Sequence, residues 1–313
     1  MHASHVAHFF ILTALLLIFN QNKKFNNYWW VCLLCTSTMV NFYIFVMLLI
    51  LWISHSLDCF YVQKNSSSSK LLVMTLVLCL SIPLLMWQAG YFFNIKQGAS
   101  ASGHFGLYQM NLLAPITTHG WSYLLPNIPN VEIPYGSWVN NSIENFMYLG
   151  TGALLLIFSS AVAYFKTTDI SLSIRNHFFL ILCSCVLFVF SLSHNVQVGT
   201  LEFHLPLPGV ITNSFSIFRS SARMFWPVYY LLIFGAIYIL SKTISEKKFQ
   251  LLIALAVVIQ ILDTSAGWIQ IRQKLNSHNI SRFETTVRDP FWNEAARYYR
   301  SVLGAPVSNL SSL

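Results

Sequence analysis

The sequence predicts an all-α, polytopic membrane protein, a bundle of seven or eight transmembrane helices with a long outer loop and a short soluble C-terminal tail. Three observations carry this. Of 313 residues, 55% are hydrophobic and only 9% are charged, against roughly 25% charged in ordinary soluble domains. The apolar residues gather into repeated runs near the ~20 residues that a bilayer crossing needs. The cations gather in short loops between those runs, as topology signals do.

In chain order the runs are Val6–Phe19, Trp29–Leu57, Leu71–Phe93, Phe146–Phe165, His177–Leu192, Met224–Leu240 and Phe249–Trp268. The second run is long, and its polar middle (Thr36, Ser37, Thr38 and Asn41) fits either a tight hairpin of two helices or one long tilted helix. Lys64 and Lys70, Lys166 and Arg175, and Lys242, Lys247 and Lys248 mark three short loops as cytoplasmic. Segments 94–145 and 193–223 alternate with them and are expected outside. Lys23 and Lys24 place the loop after the first run inside as well, which favours the hairpin. Arg272 and Lys274 pull against this orientation, and three agreeing loops outweigh them. Segment 94–145 is rich in aromatic residues, glycine and proline, and is expected to fold on the membrane surface with short interfacial helices. Residues 1–268 form the bundle, with both outer loops. Residues 269–313 read as the start of an extracytoplasmic soluble segment, incomplete, with a helix from Phe291 to Leu303.

Composition narrows the function classes. The net charge of +8 lies in loops, with no basic run interleaved with aromatics in a soluble segment, so nucleic acid is not an expected partner; membrane lipids are. Walker A, Rossmann and zincin motifs are absent. Cys32-x-x-Cys35 has redox or zinc spacing but stands inside an apolar run, where cysteine acts as a small apolar residue. His2, His5 and His8 recur every three residues without a nearby carboxylate, a weak metal pattern. No metal site is predicted and no cofactor is fixed, although a divalent metal is compatible with the chemistry below.

The most informative residues are Arg219 and Arg223, directly before Met224–Leu240. In helical geometry residues four apart share a face, so both guanidinium forks would reach one diphosphate; the alternative is snorkelling to lipid headgroups. Glu144, just before the fourth run, either complements a helix N-terminus or faces the same outer cavity as the arginines. Glu202 and His204 stand two apart and would share a face of an extended segment, where they could transfer a proton. Asp263, near the outer end of the last run, is an intramembrane ionisable residue and so a functional candidate, with pairing to either arginine as its structural alternative. Glu144 and Glu202 are the candidate catalytic acids.

Two stretches, Ser102–Pro115 (SGHFGLYQMNLLAP) and Phe218–Pro227 (FRSSARMFWP), together with Glu144–Gly150, resemble a family of uncharacterised bacterial polytopic membrane proteins related to the GT-C superfamily of polyprenyl-phosphate-dependent glycosyltransferases. The resemblance implies a multi-pass protein of the bacterial cytoplasmic membrane with an outward-facing cavity and a polyprenyl-phosphate sugar donor. Arg219 and Arg223 would hold the donor's phosphate, and Tyr108, Asn111 and Asp263 join them as substrate-binding candidates. GT-C enzymes carry a catalytic acid in the first outer loop, which on this comparison would lie upstream of Met1, and the soluble segment after the last helix is curtailed. The expectation is a truncated glycosyltransferase, its N-terminal part supplied by a companion chain. The alternatives are a lipid-linked saccharide flippase and a non-catalytic membrane subunit.

Overall fold

Apolar runs become helices because a helix satisfies its own backbone polar groups without water. A computed structural model describes residues 7–20, 26–64, 68–92, 105–106, 108–128, 146–165, 175–277 and 291–298. The described residues are mostly helical, at 72%, and the chain forms two compact units, Met1–Gly267 and Trp268–Leu313. The helices are α1 (Phe9–Phe19), α2 (Asn26–Val40), α3 (Phe42–Leu57, extended by a π-helical turn to Val62), α4 (Ser68–Gln88), α5 (Thr151–Tyr164) and α6 (Phe178–Leu192). A hairpin of β1 (Asn195–Val198) and β2 (Leu201–His204) follows, then short α7 (Gly209–Ser214), a 3-10 turn (Ser221–Phe225), α8 (Trp226–Thr243), α9 (Glu246–Ser277) and α10 (Phe291–Tyr298).

Among the described residues four helices are long and apolar enough to cross a membrane by length and composition: Phe42–Val62, Ser68–Gln88, Ser221–Thr243 and Glu246–Gln273. The helices Phe9–Phe19, Tyr28–Val40, Thr151–Tyr164 and Phe178–Leu192 are apolar but shorter. Leu72, Leu76 and Leu80 on α4, and Leu251, Leu255, Val258 and Leu262 on α9, form exposed apolar stripes, which a water-facing helix would not carry.

The long second run resolves into two helices. Asn41 leaves the helical conformation (φ −163°, ψ 129°) and accepts hydrogen bonds from the amides of Tyr43 (2.9 Å) and Ile44 (3.4 Å), capping α3. Trp30, in the first turns of α2, stacks on His55 near the end of α3 with centroids 6.0 Å apart. The pair is therefore an antiparallel hairpin. Its polar middle needs no outside partner, because Thr36, Ser37 and Thr38 donate to carbonyls of the preceding turn. The core of the first unit joins Ile11, Leu34, Leu48, Leu187 and Met224 with their neighbours, and a smaller cluster joins Leu156, Ala236, Leu240 and Ala256 across α5, α8 and α9.

Three differences from the sequence expectation follow from local chemistry. The described part of segment 94–145, residues 105–106 and 108–128, runs as turns with no helix; its prolines and glycines favour that. Segment 193–223 holds a hairpin with Asn195 opposite His204 and Val198 opposite Leu201, closed by Gly199 at φ 59°. Helix α5 begins at Thr151, not Phe146, because Gly150 turns the chain at φ 87° and the Leu149 amide donates to Pro115 O (3.0 Å).

One stripe of α9 docks these loops. Ala256, Gln260, Asp263 and Gly267 recur at helical spacing on one face. A Cβ on Gly152 would stand 2.0 Å from Ala256 O, and one on Gly267 would stand 2.1 Å from the Trp121 ring. Gln260 donates to Leu149 O (3.2 Å) and accepts from the Ala153 amide (3.2 Å), bridging the start of α5. In the second unit, α10 is helical as its spacing predicts, with Phe291 and Trp292 rings 5.4 Å apart; residues 299–303 lie outside the described residues.

Gly152→Ala is expected to push α5 off α9, because its methyl meets a backbone oxygen that cannot rotate away. A loss of about 1–3 kcal/mol, read as a lower thermal midpoint in detergent, is the expected outcome; an unchanged midpoint would refute the close approach.

Candidate functional site

The two sequence stretches that stand out most are bonded to each other. The Tyr108 amide donates to Arg219 O (3.0 Å), and the Ala222 amide donates to Tyr108 O (3.1 Å). Beside this seam the Met110 amide donates to Ser191 O (2.8 Å), tying the loop to the end of α6. Gly106 is required at its position: its φ is 80°, and a Cβ there would sit 1.9 Å from Ser193 Oγ.

Arg219 and Arg223 are not on one helix face. Ser220 between them is non-helical (φ −98°, ψ 67°), and Arg223 belongs to the 3-10 turn. This corrects the shared-face geometry, because the turn before α8 is wound more tightly and begins only after Arg219. Each guanidinium lies against a tyrosine ring instead: Arg219 over Tyr108 at 5.3 Å, and Arg223 over Tyr43 at 5.2 Å. Arg219 is exposed, whereas Arg223 is buried at 7% exposure. Such cation–π contacts contribute about 0.5–1 kcal/mol when exposed and about 2 when desolvated. Tyr43 is also tied to the turn, since its hydroxyl accepts from the Ser220 amide (3.0 Å) and donates to Ile217 O (3.4 Å). Phe218 stacks on Phe42 (5.6 Å) and meets Tyr43 edge-on (5.8 Å).

The other candidates fall into two groups. Asn111 is fully buried and stitches the loop to the hairpin. Its side chain donates to Gly199 O (2.8 Å) and accepts from the Gly199 amide (3.0 Å) and the Leu113 amide (3.0 Å). Asp263 is 1% exposed and accepts five hydrogen bonds. Ser122 Oγ (2.7 Å) and the amides of Tyr123 and Leu124 (2.9 Å each) reach Oδ1; Tyr148 OH (2.9 Å) and Thr151 Oγ1 reach Oδ2. A carboxylate offers about four lone-pair sites, so this one is saturated by the loop and by the start of α5. Both residues therefore position the loop, Asn111 against the hairpin and Asp263 against α9.

Glu202 and His204 do share a face of β2, as their spacing predicts. Both are exposed and engaged across the hairpin: Gln197 donates to Glu202 Oε1 (3.4 Å), and His204 Nδ1 meets Asn195 Oδ1 (2.5 Å). His194 stacks on Phe105 (5.6 Å) and meets the His204 ring edge-on (5.3 Å). Burial first, and His204 second, hold its pKa below the ordinary value of 6.5. His8 is a packing residue, with its ring 4.2 Å from Trp226 and Nδ1 2.9 Å from Tyr230 OH. His119 packs on Phe146 at 5.9 Å. Glu144, His2, His5 and His104 lie outside the described residues. No group of three or more metal-ligating side chains occurs among the described residues.

Tyr43 is the site residue that sequence reading misses. It sits 180 positions from Arg223, inside an apolar run where one more aromatic carries no signal. Ser122, Tyr148 and Thr151 are missed as well, because they meet Asp263 from 141, 115 and 112 positions away.

The architecture is that of a helical chain with several membrane-length helices and an irregular cap, built over one arginine–tyrosine corner. The chain belongs to the family described as a domain of unknown function, DUF6311, whose model matches residues 1–265, nearly all of the first compact unit. No curated protein and no solved structure matches it.

Asp263→Asn keeps the shape but sets an amide against donors. Amide exchange at Tyr123 and Leu124 is expected to accelerate on the order of ten- to a hundredfold, the loss of hydrogen bonds to a charged acceptor; unchanged exchange would show that the carboxylate does not hold the loop. The hairpin should also respond to pH. Because His194 resists protonation when folded, the unfolded chain binds more protons, so stability is full above about 6.5 and falls as the pH drops below it. Protection factors at Val196 and Val198, with the intrinsic pH dependence of exchange divided out, are expected to fall from pH 7 to pH 5 in the native protein, with a smaller fall in His194→Phe. Identical slopes would rule His194 out as the source.

Proposed function

We propose that this is a multi-pass protein of the bacterial cytoplasmic membrane in which the four long and the four shorter apolar helices all lie in the bilayer. Its Arg219–Arg223 corner faces outward and binds the phosphate of a lipid-linked sugar. The reading is a GT-C-like glycosyltransferase that takes a sugar from a polyprenyl-phosphate donor. The distribution of Lys and Arg between loops supports the orientation, and the resemblance of Ser102–Pro115 and Phe218–Pro227 supports the class.

One observation carries the proposal: within Phe218–Pro227 two guanidinium groups each lie over a tyrosine ring, Arg219 over Tyr108 of the stretch hydrogen-bonded to it and Arg223 over Tyr43 of α3. A guanidinium is a planar fork whose paired N–H donors match the paired oxygens of a phosphate, and a ring beneath it limits the directions in which the fork can point. In the transfer, the bond from the anomeric carbon to the donor phosphate breaks and a bond to an acceptor oxygen forms. The acceptor hydroxyl gives its proton to a carboxylate base, and the lipid phosphate leaves with the added negative charge, which the arginines stabilise. Among the described residues Glu202 is the candidate base, at an exposed hairpin position.

Binding of a short isoprenyl phosphate to the protein in nanodiscs tests this. Arg219→Ala and Arg223→Ala are each expected to weaken binding about tenfold or more. Arg223→Lys should recover only part of the loss, because a point charge lacks the fork. The corresponding isoprenol should bind all variants alike, and thermal midpoints identify any variant that has lost its fold. Undiminished phosphate binding by folded Arg219→Ala and Arg223→Lys would overturn the reading.

A further inference from the structure

Between α1, α2, α3, α4, α6 and α8 lies a cavity of about 1410 Å³, larger than the ~300–1,000 Å³ of common ligand sites. Along α8 its wall runs from Phe225 through Val228 and Leu231 to Tyr238, a rise of roughly 20 Å at ~1.5 Å per residue. Most of the lining is apolar. One end is not: Trp30, His55, Gln63, Lys70, Asn176 and His177 meet there, at the loops whose lysines mark them as cytoplasmic.

Three observations indicate that this space is a site and not a packing defect. First, Trp30 Nε1 and His177 Nδ1 are buried without a hydrogen-bond partner, and both residues line the polar end. Trp30 is only 1% exposed, and folded proteins seldom leave such a donor unmatched. Second, Gly235 lies in the interior of α8, where glycine disfavours the helix. A Cβ there meets nothing within 4 Å, and the residue lines the cavity. At Gly152 and Gly267, by contrast, glycine answers a close contact. Third, the described lining contains a cation, Lys70, and no carboxylate. Asp58, next in sequence to lining residues of α3, is directed to the start of α6, accepting from the amides of Phe179 (2.8 Å) and Leu180 (3.1 Å).

We propose that this cavity binds an anionic amphiphile, with its acid head at the Trp30–His177–Lys70 end and its chain lying along α8. The indole N–H and the ammonium are donors only, so the head must bring acceptor oxygens, either phosphate or carboxylate. The site is separate from the arginine corner and does not rest on the transferase reading.

The test uses the full chain in phosphatidylcholine nanodiscs and three photoreactive probes with one chain and different heads: a diazirine-bearing alkyl phosphate, the fatty acid and the alcohol. Labelling of α6 and α8 peptides by the phosphate or the acid, well above the alcohol, is expected, and the stronger of the two identifies the head. Trp30→Phe keeps the ring but lacks the N–H, and should cut that labelling about tenfold. Gly235→Phe should abolish it by filling the space, whereas Gly235→Ala should preserve it. Arg219→Ala should leave it unchanged, so failure here is read separately from failure of the outer site. Equal labelling by the alcohol, or native labelling in Gly235→Phe, would overturn the proposal.

Discussion

The buried carboxylate of Asp263 is the contact on which the irregular part of the molecule depends. Non-helical backbone in an apolar setting must find partners, because unmatched amides and hydroxyls are costly to bury. Asp263 takes two backbone amides and three hydroxyls at once, from residues 122–124 and from Tyr148 and Thr151. It can do so only because its neighbours on the same face of α9 clear the way. Gly267 lets Trp121 lie against the helix, the Ala256 carbonyl fits against Gly152 where a side chain would clash, and Gln260 matches a carbonyl and an amide at the start of α5. One stripe of small and polar residues in a long apolar helix thus positions both ends of the capping loop.

With the loop fixed there, its earlier residues are set against α6 and the turn before α8. Asn111 stitches the loop to the hairpin through Gly199, and the Tyr108 backbone stitches it to Arg219 and Ala222. The arginines are then presented by two different elements and steadied by two different tyrosines. A second buried carboxylate, Asp58, works at the other end of the bundle, where it meets the first free amides of α6 and complements the helix dipole. Both buried acids hold backbone, which explains how so apolar a chain tolerates them.

The helices were legible because hydropathy is a local property. Seven runs map onto helices with modest shifts at their ends, and the polar middle of Trp29–Leu57 marked the break that Asn41 makes. What escaped was where the rule of local pattern gives way. Gly150 moved the start of α5, and the hairpin at 195–204 arose in a loop whose alternation is too short to stand out. Of the candidate site, the importance of Arg219 and Arg223 could be read from their position before an apolar run. Their geometry could not, because a helical spacing assumption fails at a 3-10 turn.

The sequence by itself determined the helical, apolar character of the chain, the placing of its loops and the identity of its few charged residues, since each depends on composition within a window of about one crossing. Only the tertiary structure decided what those residues do. Asp263, a binding candidate by sequence, is saturated by partners more than a hundred positions away, and Tyr43, one aromatic among many in an apolar run, supports Arg223. The unmatched nitrogens of Trp30 and His177 emerge only once helices distant in sequence enclose a common space. The physical reason is the same throughout: burial and hydrogen-bond matching are properties of neighbours in space, which the order of residues along a chain does not specify locally.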